Sequence, residues 1–336
     1  MRLVSLKLKN NKVKVTIFIP TYNGGEYLDE VLVAIFKQKV DFSYEVLAID
    51  SGSSDNTLEI IHKFKKIHKN IRLVEIPSSE FGHGKTRNYA AQIASGEYVV
   101  YITNDAIPSH SRWLYEIIKP FGLNDRIVGV TGKQIPRQNC PPLLKYEIQS
   151  VFANLGPDFG TTIFYKDDFA KDQGTYDAIS FYSDVNSAAR RDYLVGRFQY
   201  KDVAYAEDQL LGREIIDAGY YKVYAPRASV IHSNDLKLSE YRSRMFDEAL
   251  GLRKLGFTKD VLSKKYIIKL IFYGAIKDCV RIIQDGQLSW KRKIYWFVIN
   301  PMFHIEKWRG VRLASVVDLR DSITLNKHSL EKKRAK

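Results

Sequence analysis

The feature that most constrains this chain is a regular alternation of β-rich apolar runs and amphipathic segments between Val13 and Val130. Val13 to Ile19 is β-rich and closed by Pro20, which predicts a buried strand. Glu26 to Gln38 carries Leu28, Val31, Leu32, Ile35 and Phe36 at helical spacing. Tyr44 to Ile49 reads as a second strand, ended by Asp50, and "SGSSDNT" reads as a loop. Asp55 is expected to cap a helix with Glu59 in its first turns, Leu58, Ile61, Phe64 and Ile67 on one side and lysines opposite. Ile71 to Ile76 follows as a strand, then a Gly-rich loop, then a helix from Thr86 to Ser95 stopped by Gly96. Tyr98 to Thr103 is the fourth strand, followed by a helix near Arg112 to Lys119 and a strand near Ile127 to Val130.

Strands alternating with helices of this length predict an α/β fold, a mostly parallel sheet with helices on both faces. Such sheets bind ligands at the carboxyl ends of their strands. Three strands end on polar residues, at Pro20-Thr21-Tyr22-Asn23, Asp50-Ser51-Gly52-Ser53 and Thr103-Asn104-Asp105, and all three are expected to converge on one crevice. After Gly132 the regularity loosens, and residues 133–176 are expected to form loops and a helix over that cleft.

Composition divides the chain. The net charge of +14 suggests a nucleic-acid partner until it is located. Residues 1–236 hold 29 Lys+Arg and 28 Asp+Glu, whereas residues 237–336 hold 23 and 10. The expected organisation is therefore a neutral domain over 1–236 and a basic, aromatic-rich helical region over 237–336. Cys140 and Cys279 make neither a disulfide framework nor a metal-ligand spacing, so a reducing cytosol is expected. Met1 to Lys14 is basic without an apolar core, so no signal peptide is expected. No run approaches the roughly 18–20 apolar residues of a membrane span, and the longest candidate, Tyr266 to Ile276, is interrupted by Lys269.

Two nucleotide signatures are missing. No Gly-x-x-x-x-Gly-Lys-Ser/Thr occurs, and no Gly-x-Gly-x-x-Gly follows the first strand. A diphosphate bound here would need its charge neutralised another way, and the obvious way is a divalent cation held by a carboxylate. The fourth strand, in "YVVYITNDAIP", ends on such a carboxylate, Asp105.

Taken together, "VTIFIPTYNGGEYLDEVL", "EVLAIDSGSSDNT", "FGHGKTRNYA" and "YVVYITNDAIP" resemble glycosyltransferase family 2, which has the GT-A fold, a Rossmann-like sheet. "VNSAARRD", "AEDQLLGRE" and "VIHSND" follow in the expected order, and the set looks like the bacterial branch that transfers rhamnose from dTDP-rhamnose. The resemblance covers residues 13–235. It implies an inverting, metal-dependent transferase using Mg²⁺ or Mn²⁺, with a lipid-linked surface polysaccharide as acceptor. A UDP-hexose donor, or a non-catalytic nucleotide-sugar-binding module, stands as the alternative.

Carried over by position, the family's Asp-x-Asp falls on Thr103, Asn104 and Asp105. The metal-binding acid is kept as Asp105; the first acid is Thr103 here, which removes the direct contact that acid makes in relatives. The resemblance implies nucleotide contacts from Pro20, Thr21, Tyr22, Asp50, Asn104 and Arg87, with Asp50 accepting a hydrogen bond from the pyrimidine. His83 is expected at the sugar or the diphosphate, and His232 near the metal or the diphosphate. Asp184 and Asn186 are expected near the donor sugar or the acceptor. Arg190 and Arg191 either approach the diphosphate or form a surface pair. In the pair Glu207-Asp208, Asp208 matches the general base and Glu207 a positioning residue, whereas the bland reading gives both to a helix N-terminus.

Beyond Tyr266, "YIIKLIFYGAIKDCVRII" and "WKRKIYWFVINPMFHIEKWRG" mix aromatic and aliphatic residues with Lys and Arg. That mixture suits helices lying in an anionic membrane interface, with attachment at the inner face of the bacterial plasma membrane. Nucleic acid ranks lower, because no nucleic-acid motif accompanies the basic residues. A helical subdomain packed on the first domain is the plain alternative.

Overall fold

The structure is a computed structural model that describes residues 12–166, 173–234, 236–258 and 261–334. The chain divides into two compact units. One comprises residues 1–134, 152–202 and 207–231, the other residues 135–151, 203–206 and 232–336. The second unit thus includes two segments that come earlier in the chain than its main part.

The element order opens with β1 (Val15–Thr21), α1 (Leu28–Phe36), β2 (Tyr44–Asp50), α2 (Thr57–Ile67) and β3 (Ile71–Glu75). Next come α3 (His83–Ile93), β4 (Tyr98–Ile102), β5 (Ile107–Pro108), α4 (Trp113–Ile118) and β6 (Ile127–Ile135). Then follow α5 (Pro142–Leu155), β7 (Thr162–Phe164), α6 (Gln173–Ser180), β8 (Asn186–Arg190), α7 (Arg191–Gly196), α8 (Glu207–Asp217) and β9 (Tyr221–Ile231). The helical remainder is α9 (Leu238–Lys254), α10 (Lys264–Gln284), α11 (Trp290–Val316), α12 (Ser322–His328) and α13 (Leu330–Arg334).

Among the described residues the sheet has nine strands, in the order β3-β2-β1-β4-β8-β6-β9-β5, with β7 on β9. The first four strands read from the sequence form its parallel half, with β1 between β2 and β4, and the fifth, near Ile127 to Val130, is β6, which pairs with β8. Beyond β4 the sheet is mixed, because β8 enters antiparallel between β4 and β6. β8 is "NSAAR", small residues with no β-branched pattern, so it gave no strand signal.

Alternation along β1 sends Ile17 and Ile19 to one core and Phe18 to another. The first core is completed by residues of α1, α2 and α4, the second by residues of α3, α7 and α8. Coverage on both faces is why these strands are continuous apolar runs instead of alternating ones. β1 runs through Pro20 to Thr21, further than expected. The register with β4 ends at Phe18 opposite Tyr101, so Pro20 lies beyond the last pair on that side. α3 begins at His83, ahead of the expected Thr86, and β6 continues well past Val130. Asp55 is not the N-cap of α2: it lies before Asn56 and folds an Asx-type turn by accepting from the amide (3.0 Å) and hydroxyl of Thr57.

In the second unit α11 packs along α9 and α10. Arg242 on α9 grips Glu306 on α11 through two bonds of 2.5 and 2.9 Å. α10 and α11 share a buried polar contact. Asp278 Oδ2 lies 2.8 Å from His304 Nε2 and 3.3 Å from Asn300 Nδ2.

Candidate active site

The carboxyl ends of β1, β2 and β4 lie side by side, and their loops are stitched together by backbone donors and short side chains. Asn23, at φ 47°, turns the chain after β1. Its amide donates to Ser53 Oγ (2.9 Å), and its side-chain oxygen accepts from the Ser54 amide (2.8 Å). The Gly24 amide donates to Thr57 Oγ1 (2.8 Å) and the Gly25 amide to Asp55 Oδ2 (2.9 Å). Asn104, after β4, lies so close that a Cβ on Gly24 would sit 2.1 Å from its Nδ2. Glycine at 24 thus leaves room for the Asn104 side chain against the β1 loop.

Asp50 is buried and organises this end. Its Oδ1 accepts from the amides of Gly52 (3.0 Å) and Ser53 (2.9 Å). Its Oδ2 accepts from the hydroxyls of Thr21 (2.9 Å) and Ser53 (2.6 Å). Any further donor has to join or displace the Ser53 hydroxyl. Pro20 and Thr21 complete β1, and Tyr22 projects into solvent at 56% exposure. Asp105 sits half-buried in the turn closed by the Ala106 amide on the Thr103 carbonyl.

A second cluster is built on α3, β8 and α8. Arg87 is buried, with Nε 2.7 Å from Asp184 Oδ2 and Nη1 2.6 Å from Glu207 Oε1. Ser187 donates to Asp184 Oδ1 at 2.6 Å. The Asp184 amide donates to Asp208 Oδ2 (3.1 Å), and the Gln209 amide to Oδ1 (2.8 Å). One guanidinium therefore faces three carboxylates. Burial, then the neighbouring Glu207 and Asp184 charges, push Asp208 up to about 7. Burial raises Asp184 as well, against the pull of Arg87. The N-terminus of α8 favours the anion but is the weaker influence on Asp208.

Residues of the "FGHGKTRNYA" stretch hold this cluster in place. Asn88 clamps the backbone of Tyr200 through two bonds of 2.8 Å. A Cβ on Gly84 would lie 2.1 Å from the Lys201 carbonyl oxygen, so only glycine admits that strand of chain. His83 opens α3 with its ring edge-on to Phe81, and its carbonyl accepts from Arg87. The fork of Arg87 is thus engaged by Asp184 and Glu207.

Other predicted residues have structural occupations. Asn186 is fully buried, accepts from Trp113 Nε1 (2.9 Å) and donates to the carbonyls of Lys133 (3.2 Å) and Ala228 (2.7 Å). Arg190 donates to the Ile127 carbonyl, and Arg191 to the last carbonyls of α3, at Ala91 and Gln92. His232 follows β9, is buried, and belongs to the second unit. Sequence reasoning named Ser53 only as part of a polar strand end and passed over Ser187 and Asn88. Each is a short polar residue inside a quoted motif, and that position was the one signal available.

Among the described residues no group of three or more His, Cys, Asp or Glu side chains is placed to hold a metal ion alone. Asp105 offers a single hard oxygen donor group. That fits a cation such as Mg²⁺, which takes one or two protein carboxylates and completes its shell with phosphate oxygens and water.

The family model described as Glycosyl transferase family 2 matches residues 16–197. The chain belongs to glycosyltransferase family 2. This glycosyltransferase is 29% identical over 245 residues to the O-antigen chain rhamnosyltransferase RfbN of Salmonella typhimurium, covering 70% of this chain and 71% of the relative. It is 32% identical over 236 residues to the O-antigen chain rhamnosyltransferase WbaN of Salmonella anatum, covering 69% and 70%. A mannosyltransferase from Pyrobaculum calidifontis, solved with GDP-Man and Mn²⁺, superposes with a TM-score of 0.53 at 18% identity, over 94% of this chain and 79% of that one. At that identity the likeness concerns the fold, and it agrees with the GT-A arrangement of the sheet.

The Asp208 carboxylate gives a pH prediction. Acting as a general base, Asp208 would have to be deprotonated, and kcat/KM would then rise about tenfold per pH unit up to about 7 and level. Stability moves the other way. An unfolded Asp releases its proton near pH ~3.9. Between that pH and about 7 the folded state holds a proton the unfolded state has lost, so this group's contribution falls as pH rises through the window. A pH–rate profile beside a pH series of melting temperatures checks both signs; a flat rate profile from pH 5 to 8 contradicts the assignment.

Proposed function

We propose that this glycosyltransferase transfers rhamnose from dTDP-rhamnose, with inversion, to a lipid-linked surface polysaccharide acceptor presented at the inner face of the bacterial plasma membrane. The observation that carries the reaction class is Asp208, fixed at the start of α8 by two backbone amides and raised to about 7 by burial and by Glu207 and Asp184. The two O-antigen rhamnosyltransferase relatives support the sugar.

In this reading the acceptor hydroxyl oxygen attacks the anomeric carbon and its proton passes to Asp208. The bond from that carbon to the diphosphate oxygen breaks, and the nucleoside diphosphate leaves with the electron pair. Glu207 and Asp184 hold Arg87 between them and keep the negative charge that sets Asp208. Asp50, Thr21 and the turn at Asn23 shape the nucleotide end, and Tyr22 and Asn104 border it. Asp105 would hold Mg²⁺ or Mn²⁺, which would supply neutralisation of the charge on the leaving diphosphate. Residues 237–336 provide the attachment to the membrane surface.

Nucleotide-dependent melting tests the donor and metal parts of this reading without turnover. dTDP with Mn²⁺ is expected to raise the melting temperature through binding to the folded state. The rise should vanish with chelator and in Asp105→Ala. Stabilisation by UDP but not dTDP would transfer the assignment to a UDP-hexose donor. An unchanged response in Asp105→Ala would remove that residue from the metal site.

A further inference from the structure

Helices on a water-facing surface normally turn polar residues outward. α10 and α11 do the reverse. Along α10, Ile268, Phe272, Ile276 and Val280 recur every fourth residue at 50–64% exposure, with Ile283 continuing the stripe at 58%. Along α11, Trp290, Ile294, Val298 and Met302 recur at the same spacing with 45–73% exposure. The opposite face of each helix is already engaged, through Ile267, Asp278 and Ile282 on α10 and Asn300, Phe303 and His304 on α11. An apolar stripe of this length, left outside on two consecutive helices, marks an interaction surface.

Charge identifies the occupant. α10 carries Lys264, Lys265, Lys269, Lys277 and Arg281, and the first turn of α11 carries Lys291, Arg292 and Lys293. The one acid within α10, Asp278, is buried against His304, and α11 has no acid before Glu306. The exposed charge beside the stripes is therefore cationic. Among the described residues no helix is long and apolar enough to cross a membrane. Aromatic and aliphatic anchors with lysines beside them suit a helix lying in the headgroup region of a bilayer, where Lys stems reach along apolar surface to the phosphates.

We infer that the exposed stripes of α10 and α11 form the surface by which this protein docks on an anionic lipid bilayer, their apolar side chains entering the interface and their lysines and arginines meeting lipid phosphates. This deepens, and rests on, the membrane attachment in the proposed function. It assigns that attachment to named side chains and predicts a dependence on lipid charge.

The test is flotation of the full-length protein with phosphatidylglycerol–phosphatidylcholine vesicles, with pure phosphatidylcholine vesicles alongside. Binding to the anionic vesicles is expected, weakening with salt and with loss of phosphatidylglycerol. Phe272→Gln with Ile276→Gln, and separately Trp290→Gln with Val298→Gln, should each lower the partition coefficient about tenfold or more. All four positions are exposed, so the melting temperature and its response to nucleotide should stay as in the unsubstituted protein. Binding that survives both pairs of substitutions would overturn the assignment to these helices while leaving membrane attachment standing. No binding to anionic vesicles by the unsubstituted protein would overturn both. A dimer that both pairs dissociate, in a protein that ignores vesicles, would assign the stripes to a second copy and overturn the inference.

Discussion

Asp208→Asn is expected to lower kcat by about 10²–10⁴-fold, the usual contribution of a positioned general base, while raising the melting temperature at pH 8. The two effects share one cause. Asp208 stands beside Glu207 and Asp184 with a single guanidinium between three acids, and burial plus those charges hold it at about 7. At pH 8 the folded protein must keep this carboxylate ionised against its neighbours, which the unfolded chain does without opposition. An uncharged amide removes that repulsion and the base together, and the relief is expected to exceed the loss of one acceptor, since the asparagine Nδ2 cannot accept from the second backbone amide. Steady-state turnover and a melting curve at pH 8 on one preparation measure both. A variant that loses activity and also melts lower would show instead that the bonds Asp208 accepts from the amides of Asp184 and Gln209 outweigh the repulsion.

The second large effect is expected at Arg87. Its side chain is 10% exposed, and its Asp184 and Glu207 partners are 0% and 6% exposed. Removing the cation with Arg87→Met leaves two buried acids without a counter-charge, and breaking such a pair costs about 3–5 kcal/mol. At roughly 2–4 °C per kcal/mol for a domain of 150–250 residues, the melting temperature should fall on the order of 10 °C. Arg87→Lys keeps the charge but cannot reach both acids from one planar fork, so an intermediate loss is expected. The loss for Arg87→Met should shrink at low pH, where Asp184, already raised by burial, takes up a proton. A melting temperature within a degree or two of the unsubstituted protein would mean that the network is not what holds α3, β8 and α8 together.

How much of this was legible in the sequence depended on the kind of residue. The parallel half of the sheet was legible because β1, β2 and β4 are buried on both faces, which leaves continuous apolar runs. The polar strand ends were legible for the same reason, since Thr21, Asp50 and Asp105 interrupt those runs abruptly. β8 was not, because Ser187, Ala188 and Ala189 are small buried residues that carry no strand preference. The early start of α3 was hidden by Gly82 and Gly84, which read as a loop. Gly84 is there for the close approach of the Lys201 carbonyl, a contact made from more than a hundred residues away. Arg87 shows the limit most clearly: the sequence offers it as an arginine near the nucleotide, and only the three-dimensional placement of Asp184 and Glu207 gives it internal partners. The exposed stripes of α10 and α11 lie between these cases. Their composition was visible, but which side chains face outward is set by where α9, α10 and α11 pack.

The most direct test of the account is release of nucleoside diphosphate by the purified protein. It would be supplied in turn with dTDP-rhamnose and with UDP-hexoses, with Mn²⁺ or Mg²⁺ and then with chelator, and with a bacterial lipid extract as acceptor. The account predicts metal-dependent release of dTDP from dTDP-rhamnose alone, reduced to background in both Asp208→Asn and Asp105→Ala. Release from a UDP-hexose in place of dTDP-rhamnose, or equal release by the unsubstituted protein and Asp208→Asn, would contradict it.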